Sequence, residues 1–190
     1  MSDSIRTFIA IELPEEIIAS ISKIQESIRS YGFKVRWVRP QNIHLTLKFL
    51  GNVRVAETEA IGRALLASVN GFAPLAMTAK GIGVFPGIKR PRVLWVGVGG
   101  QINELIQLQQ ALDEKLAGLG FPREKRAFKG HLTMGRVQAK IDPKRLLEAI
   151  KEYDGFESEP FVADKMILFQ SELHPAGAIY TKLMEAPLVL

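Results

Sequence analysis

A His and a Thr separated by one apolar residue occur twice in this 190-residue chain, as His44-Leu45-Thr46-Leu47 and His131-Leu132-Thr133-Met134, and each copy holds the same place in a longer pattern. Residues 6–13 (RTFIAIEL) read as a strand. Pro14, Glu15 and Glu16 then open a helix to about Ser30, with Ile17, Ile18, Ile21, Ile24 and Ile28 at helical spacing. In the second half, residues 92–98 (RVLWVGV) read as a strand and Gly99-Gly100 as a turn. Residues 102–119 follow as a helix carrying Ile102, Leu105, Ile106, Leu108, Leu112 and Leu116. His44 comes 38 residues after Arg6, and His131 comes 39 after Arg92. Beyond each motif the order repeats again, with second helices over 56–69 and 143–153 and strands over 75–84 and 161–169.

Such spacing is the mark of a duplicated unit, residues 5–85 and 91–170, followed by a hairpin over 165–187 around Pro175-Ala176-Gly177. Two units packed about an approximate twofold axis bring equivalent strands together, so both histidines line one cleft despite 87 intervening positions. The expected fold is α+β: two pseudo-symmetric lobes interleaved in a single domain over 1–190, each a mainly antiparallel sheet with outer helices, enclosing a central cleft. At 47% apolar residues the chain has enough material for an ordinary core.

In a strand, alternate side chains share a face, so each motif aims its His and Thr the same way and sends the leucine between them into the core. An imidazole donates or accepts a proton near neutral pH and a hydroxyl binds an oxyanion. Each motif is thus half of a metal-free site for phosphate chemistry. His174, beside the Pro-Ala-Gly turn and without a Thr partner, reads as a loop histidine.

The absence of cysteine removes disulfides, thiolate nucleophiles and cysteine-based zinc sites. Neither motif has an Asp or Glu beside it to orient a metal-bound imidazole, so no metal is expected, and no other cofactor. No G-x-x-x-x-G-K-[ST] or G-x-G-x-x-G pattern is present, and Gly81-Ile82-Gly83 reads as a strand end. With 25 Lys and Arg against 20 Asp and Glu, the net charge of +5 favours an anionic partner. Lys89, Arg90 and Arg92 form one basic loop, and Arg123, Lys125, Arg126 and Lys129 another just before His131; both are candidates to rim the cleft. A polar amino terminus and the lack of a long apolar run lead to the expectation of a cytoplasmic protein without a membrane partner, and the lack of a spare apolar face on any strand or helix to that of a monomer.

The blocks WVRPQNIHLTLKFLG (37–51), GIGVFP (81–86), KGHLTMGR (129–136) and SELHPAGAIY (171–180) resemble the RNA 2′,3′-cyclic phosphodiesterases. These are also called 2′-5′ RNA ligases, in the two-histidine (2H) phosphoesterase superfamily, and the resemblance spans nearly the whole chain. It implies that His44 is the proton donor and His131 the proton acceptor, that Thr46, Thr133 and Arg136 bind the substrate phosphate, and that Phe49 stacks on the terminal nucleoside. The sequence by itself offers a symmetrical pair of histidines and does not orient it.

Phe49 and Arg136 each follow their histidine by five positions, an odd offset that points to the wrong face of a regular strand. Their roles require a bulge or the end of the strand near Gly51 and Gly135. The implied reaction is hydrolysis of a 2′,3′-cyclic phosphate RNA end, or of a cyclic nucleotide, to a 2′-phosphate. By microscopic reversibility the same site supports ATP-independent 2′-5′ ligation. The alternatives are a catalytically silent module that binds RNA ends or nucleotides, and a phosphodiesterase acting on a small cyclic nucleotide metabolite.

Overall fold

The fold was obtained as a computed structural model, which describes residues 3–175 and 177–189. The first half runs β1 (Ser4–Ile11), α1 (Glu15–Ser30), β2 (Val35–Trp37), β3 (Leu45–Arg54), α2 (Thr58–Ser68) and β4 (Leu75–Phe85). The second runs β5 (Val93–Gly100), α3 (Ile102–Ala117), β6 (His131–Val137), α4 (Pro143–Lys151), β7 (Phe161–Ala163), β8 (Lys165–His174) and β9 (Gly177–Pro187). All strand pairings are antiparallel, in the order β7-β4-β5-β6-β3-β1-β8-β9, with β2 on β6. The order separates into two groups of four, each holding one His-x-Thr strand. The groups meet at one pair, Leu45 opposite Leu132.

The α+β arrangement of two lobes is thus the one the chain adopts, with the two sheets continuous through that pair. The lobes exchange strands: β4 of the first half pairs with β5, and β8 of the second half pairs with β1. For this reason residues 161–169 are not one strand. Asp164, a poor strand former, separates β7, which pairs with β4, from β8, which pairs with β1.

Other boundaries also differ from the sequence reading. The pair Gly99-Gly100 belongs to β5, and the chain turns after Gly100, whose φ is +89°. Gly81-Ile82-Gly83 lies within β4, not at its end, with a bulge at Gly81 where φ is +65°. The three-residue β2 was too short to show any periodicity. Of the hairpin turn Pro175-Ala176-Gly177, Ala176 lies outside the described residues.

All four helices bury their apolar stripes in one cluster with one face of the sheet, represented by Ile21, Leu65, Leu108, Leu146, Ile9, Leu45 and Leu132. The opposite face of the first lobe carries a separate cluster of Phe8, Ala10, Ile167 and Phe169, with Tyr180 packed on it. β1 therefore feeds both layers, alternating Ile9 and Ile11 toward the helices with Phe8 and Ala10 toward the cleft.

One buried ion pair crosses the helical layer. Lys48 of β3 bonds Asp113 of α3 and also donates to the Pro122 carbonyl at 2.7 Å, while the Glu124 N–H donates to Asp113 Oδ2 at 3.0 Å. The pair thereby ties β3 to the loop that leads to His131. Asp113→Ala leaves the ammonium buried without its carboxylate, and should lower unfolding free energy in urea by about 3–5 kcal/mol. A loss under about 1 kcal/mol, the range of surface pairs, would show that the pair is wet rather than buried.

Candidate active site

The Leu45–Leu132 pair positions the site. Both leucines are fully buried on the helical side, so the flanking positions face the cleft. In an antiparallel pair centred there, position 44 lies beside 133 and 46 beside 131. Two imidazoles and two hydroxyls thus converge about the local twofold axis. The Thr46 and Thr133 side chains are half-buried.

Each imidazole is held identically. His44 Nδ1 lies 2.8 Å from the Asn42 carbonyl and His131 Nδ1 lies 2.7 Å from the Lys129 carbonyl. A carbonyl only accepts, so Nδ1–H donates in both rings and Nε2 is left as the ring atom able to take or give a proton.

The odd-offset residues reach the cleft by bulges, in β6 beside Gly135 as the sequence suggested and in β3 ahead of Phe49, with a further register shift at Leu50 beside Gly51. In β3 the register jumps between Ala10–Thr46 and Ile9–Lys48, making Leu47 the extra residue. In β6 it jumps between Trp95–Thr133 and Leu94–Gly135, making Met134 the extra residue. Both bulges fall on the fourth motif position, directly after the Thr. Leu47 and Lys48, and likewise Met134 and Gly135, point consecutively into the core, which returns Phe49 and Arg136 to the cleft face. Phe49, 62% exposed, pairs across the sheet with Phe8 at 6.1 Å between ring centres.

The carbonyls at the two bulges are met by glutamines that sequence reading passed over. Buried Gln25 of α1 donates to the Met134 carbonyl at 2.8 Å and to the Val38 carbonyl at 2.9 Å. Buried Gln109 of α3 approaches the Leu47 carbonyl at 3.5 Å. Each helix thus serves the bulge of the other half's motif. A polar residue on an otherwise apolar helix stripe was the available signal.

Aromatic rings wall both histidines. His44 stacks on Phe8 with centres 4.8 Å apart and meets Tyr180 edge-on at 5.4 Å. His131 meets Phe85 edge-on at 5.0 Å and Trp95 at 6.4 Å. The Trp95 ring crosses Gly83 so closely that a Cβ there would lie 2.2 Å from it, so the glycine admits the indole. Of the second basic loop, Lys129 joins this wall, its ammonium 4.8 Å from the Trp95 ring centre, whereas Arg123 turns to Glu114 at 3.4 Å.

The two halves differ electrostatically. Burial pushes the His44 imidazole down from its ordinary 6.5 to about 4, against the opposing hydrogen bond to the Asn42 carbonyl and with a smaller push from the His131 charge. Burial raises the Tyr180 hydroxyl, opposed by the Arg136 and Arg6 charges. A cavity of about 340 Å³ opens beside His44, lined by Glu12, Arg39, Asn42, Tyr180 and Lys182 among others. His174 ends β8, exposed, with Glu172 at 3.9 Å. Among the described residues no cluster of His, Asp and Glu could hold a metal ion, and no helix is long and apolar enough to cross a membrane.

The sequence matches the family described as LigT like Phosphoesterase twice, over residues 11–95 and 96–180, and the chain belongs to that family. Among its relatives is the RNA 2′,3′-cyclic phosphodiesterase of Methanothermobacter thermautotrophicus, 35% identical over 93% of this chain and 95% of the relative. The protein of the same name from Methanocaldococcus jannaschii is 36% identical over 95% and 99%. In three dimensions the chain is similar to TT0787 of Thermus thermophilus, with a TM-score of 0.79 at 26% identity over 96% and 97% of the two chains. It is also similar to E. coli LigT complexed with 3′-AMP, with a TM-score of 0.72 at 27% identity over 98% and 99%.

Two measurements check this geometry. Gln25→Leu leaves the buried Met134 carbonyl with one donor fewer, and should cost about 1–3 kcal/mol of stability; an unchanged denaturation midpoint would mean the bulge does not need the glutamine. In an NMR titration of the ligand-free protein, the His44 ring should remain neutral as pH falls through 6.5 and take its proton near pH 4. An inflection near 6.5 would show the ring to be solvated.

Proposed function

We propose that this protein opens 2′,3′-cyclic phosphate ends of RNA to 2′-phosphomonoesters by metal-independent acid–base catalysis. The observation that carries the reading is the matched pair of Nδ1–carbonyl bonds, which leaves one Nε2 from each half for proton transfer. The names of the relatives supply the substrate class. His131 Nε2 takes a proton from water as its oxygen bonds phosphorus, and His44 Nε2 gives a proton to the 3′ oxygen as its bond to phosphorus breaks. Each transfer is worth about 10²–10⁴-fold in rate. Thr46, Thr133 and Arg136 bond the non-bridging oxygens, and Phe49 stacks on the terminal nucleoside.

The depressed pKa of His44 fits a donor that the substrate itself charges. Burial disfavours the imidazolium in the free protein, and an anionic phosphate beside Nε2 restores it. The acidic limb of kcat/KM, which reports the free protein, should therefore lie near pH 4, and that of kcat at higher pH. Coincident limbs would mean that substrate does not charge His44.

A 5′-hydroxyl in place of the water gives a 2′,5′ bond and accounts for ligation without ATP. The site is complete within one chain, whose repeated units we take as residues 5–85 and 91–170, and the protein acts as a monomer. The test is product analysis on an oligonucleotide with a 2′,3′-cyclic end, run with and without EDTA. The expected product is the 2′-phosphate at an undiminished rate with chelator. A 3′-phosphate, loss of activity with EDTA, or saturable binding without turnover would each contradict the proposal.

A further inference from the structure

Arg136 has a neighbour that the proposed reaction does not use. Arg36 of β2 lies directly across from it in the β2–β6 ladder, between the pairs Val35–Val137 and Trp37–Gly135. Directly opposed residues share a face, with Cβ atoms about 5 Å apart. The face is the cleft face: a Cβ on Gly135 would strike Val35 at 2.5 Å and Trp37 at 3.2 Å, so those residues pack on the helical side and both arginines on the other. Both are exposed.

Neither guanidinium takes part in any ion pair among the described residues. Like charges placed directly opposite one another repel, and here no carboxylate relieves them. The arrangement suits a ligand that brings more than one negative charge to the same face. β2 pairs with β6 at the β3 side and beyond the bulge, so Arg36 lies one strand out from the residue next to the reacting phosphorus.

We propose that Arg36 binds the phosphate on the 5′ side of the terminal nucleotide, one nucleotide away from the reacting cyclic phosphate held at Arg136. The inference rests on the reading of the cleft given under Proposed function and deepens it. The second phosphate is the group that distinguishes the end of an RNA chain from a lone nucleoside cyclic phosphate. Arg36 is thus a specificity residue for polymer ends, reached through a charge-assisted hydrogen bond that a planar guanidinium makes well.

The probes are adenosine 2′,3′-cyclic phosphate and its 5′-phosphorylated form, which differ only in that phosphate, and the quantity read is the ratio of their kcat/KM values. In the unaltered protein the 5′-phosphorylated substrate should be favoured by about tenfold or more. In Arg36→Ala the ratio should fall close to 1, and in Arg36→Lys it should lie between, because lysine keeps the charge without the fork. Because Arg36 is exposed, neither variant should lose the fold, which its denaturation midpoint verifies. A ratio of 1 in the unaltered protein, or an undiminished ratio in Arg36→Ala, overturns the inference while leaving the reaction intact. Absence of turnover on both substrates overturns the reaction, and the inference falls with it.

Discussion

Two fully buried leucines, Leu45 and Leu132, form the ladder pair that joins the two four-stranded groups of this sheet. Everything that could do chemistry depends on it. The pairing is antiparallel, so the residues on either side of each leucine face the cleft together and bring His44, Thr46, His131 and Thr133 to one place from opposite halves of the chain. The burial that secures the leucines against the helices fixes the register, since a slip of one strand by one residue would turn its histidine into the core and leave the other without a partner.

A second constraint acts just beyond this pair. A bulge after each threonine adds one residue to one strand only, and the added residue, Leu47 or Met134, is buried with the helical layer. A bulge in a buried sheet needs partners for its displaced backbone groups, and Gln25 and Gln109 approach those carbonyls from the helices. Swapping helices between bulges makes each half of the site depend on the packing of the other. The exchange of β4 and β8 between lobes has the same effect, so neither half of the duplication has its sheet complete alone.

The sequence carried the duplication plainly, because strand, helix and His-x-Thr recur at pitches of 38 and 39 residues, and α1 and α3 start as their patterns indicate. It also showed that Phe49 and Arg136 would need a break in alternation to reach the cleft. Half of that break was legible: in β6 it falls at Met134, beside Gly135, whereas in β3 the bulge that turns Phe49 lies at Leu47, a residue that advertises only burial, and a second register shift follows at Leu50 beside Gly51. Phe8, Phe85, Trp95 and Tyr180 were equally hidden, since an aromatic residue on a strand reads the same whether it packs on a helix or on a histidine of the cleft. Strand pairing over long sequence separations decides which it does.

Despite the symmetry of backbone and hydrogen bonding, the two imidazoles are unequal. His44 stacks on Phe8 in a desolvated pocket, and burial holds it neutral in the free protein; His131 stands at the more open wall beside Lys129. Under the proposed mechanism the two rings form a single functional unit, and such units respond to mutation non-additively. The most direct measurement is therefore kcat on a 2′,3′-cyclic-ended oligonucleotide for His44→Ala, His131→Ala and the double variant. If both rings serve one step, each single variant should lose about 10²–10⁴-fold, and the double variant should lose little more than the worse single one. Losses that multiply in the double variant, or a single variant with full activity, would contradict the central claim that the two halves build one acid–base site.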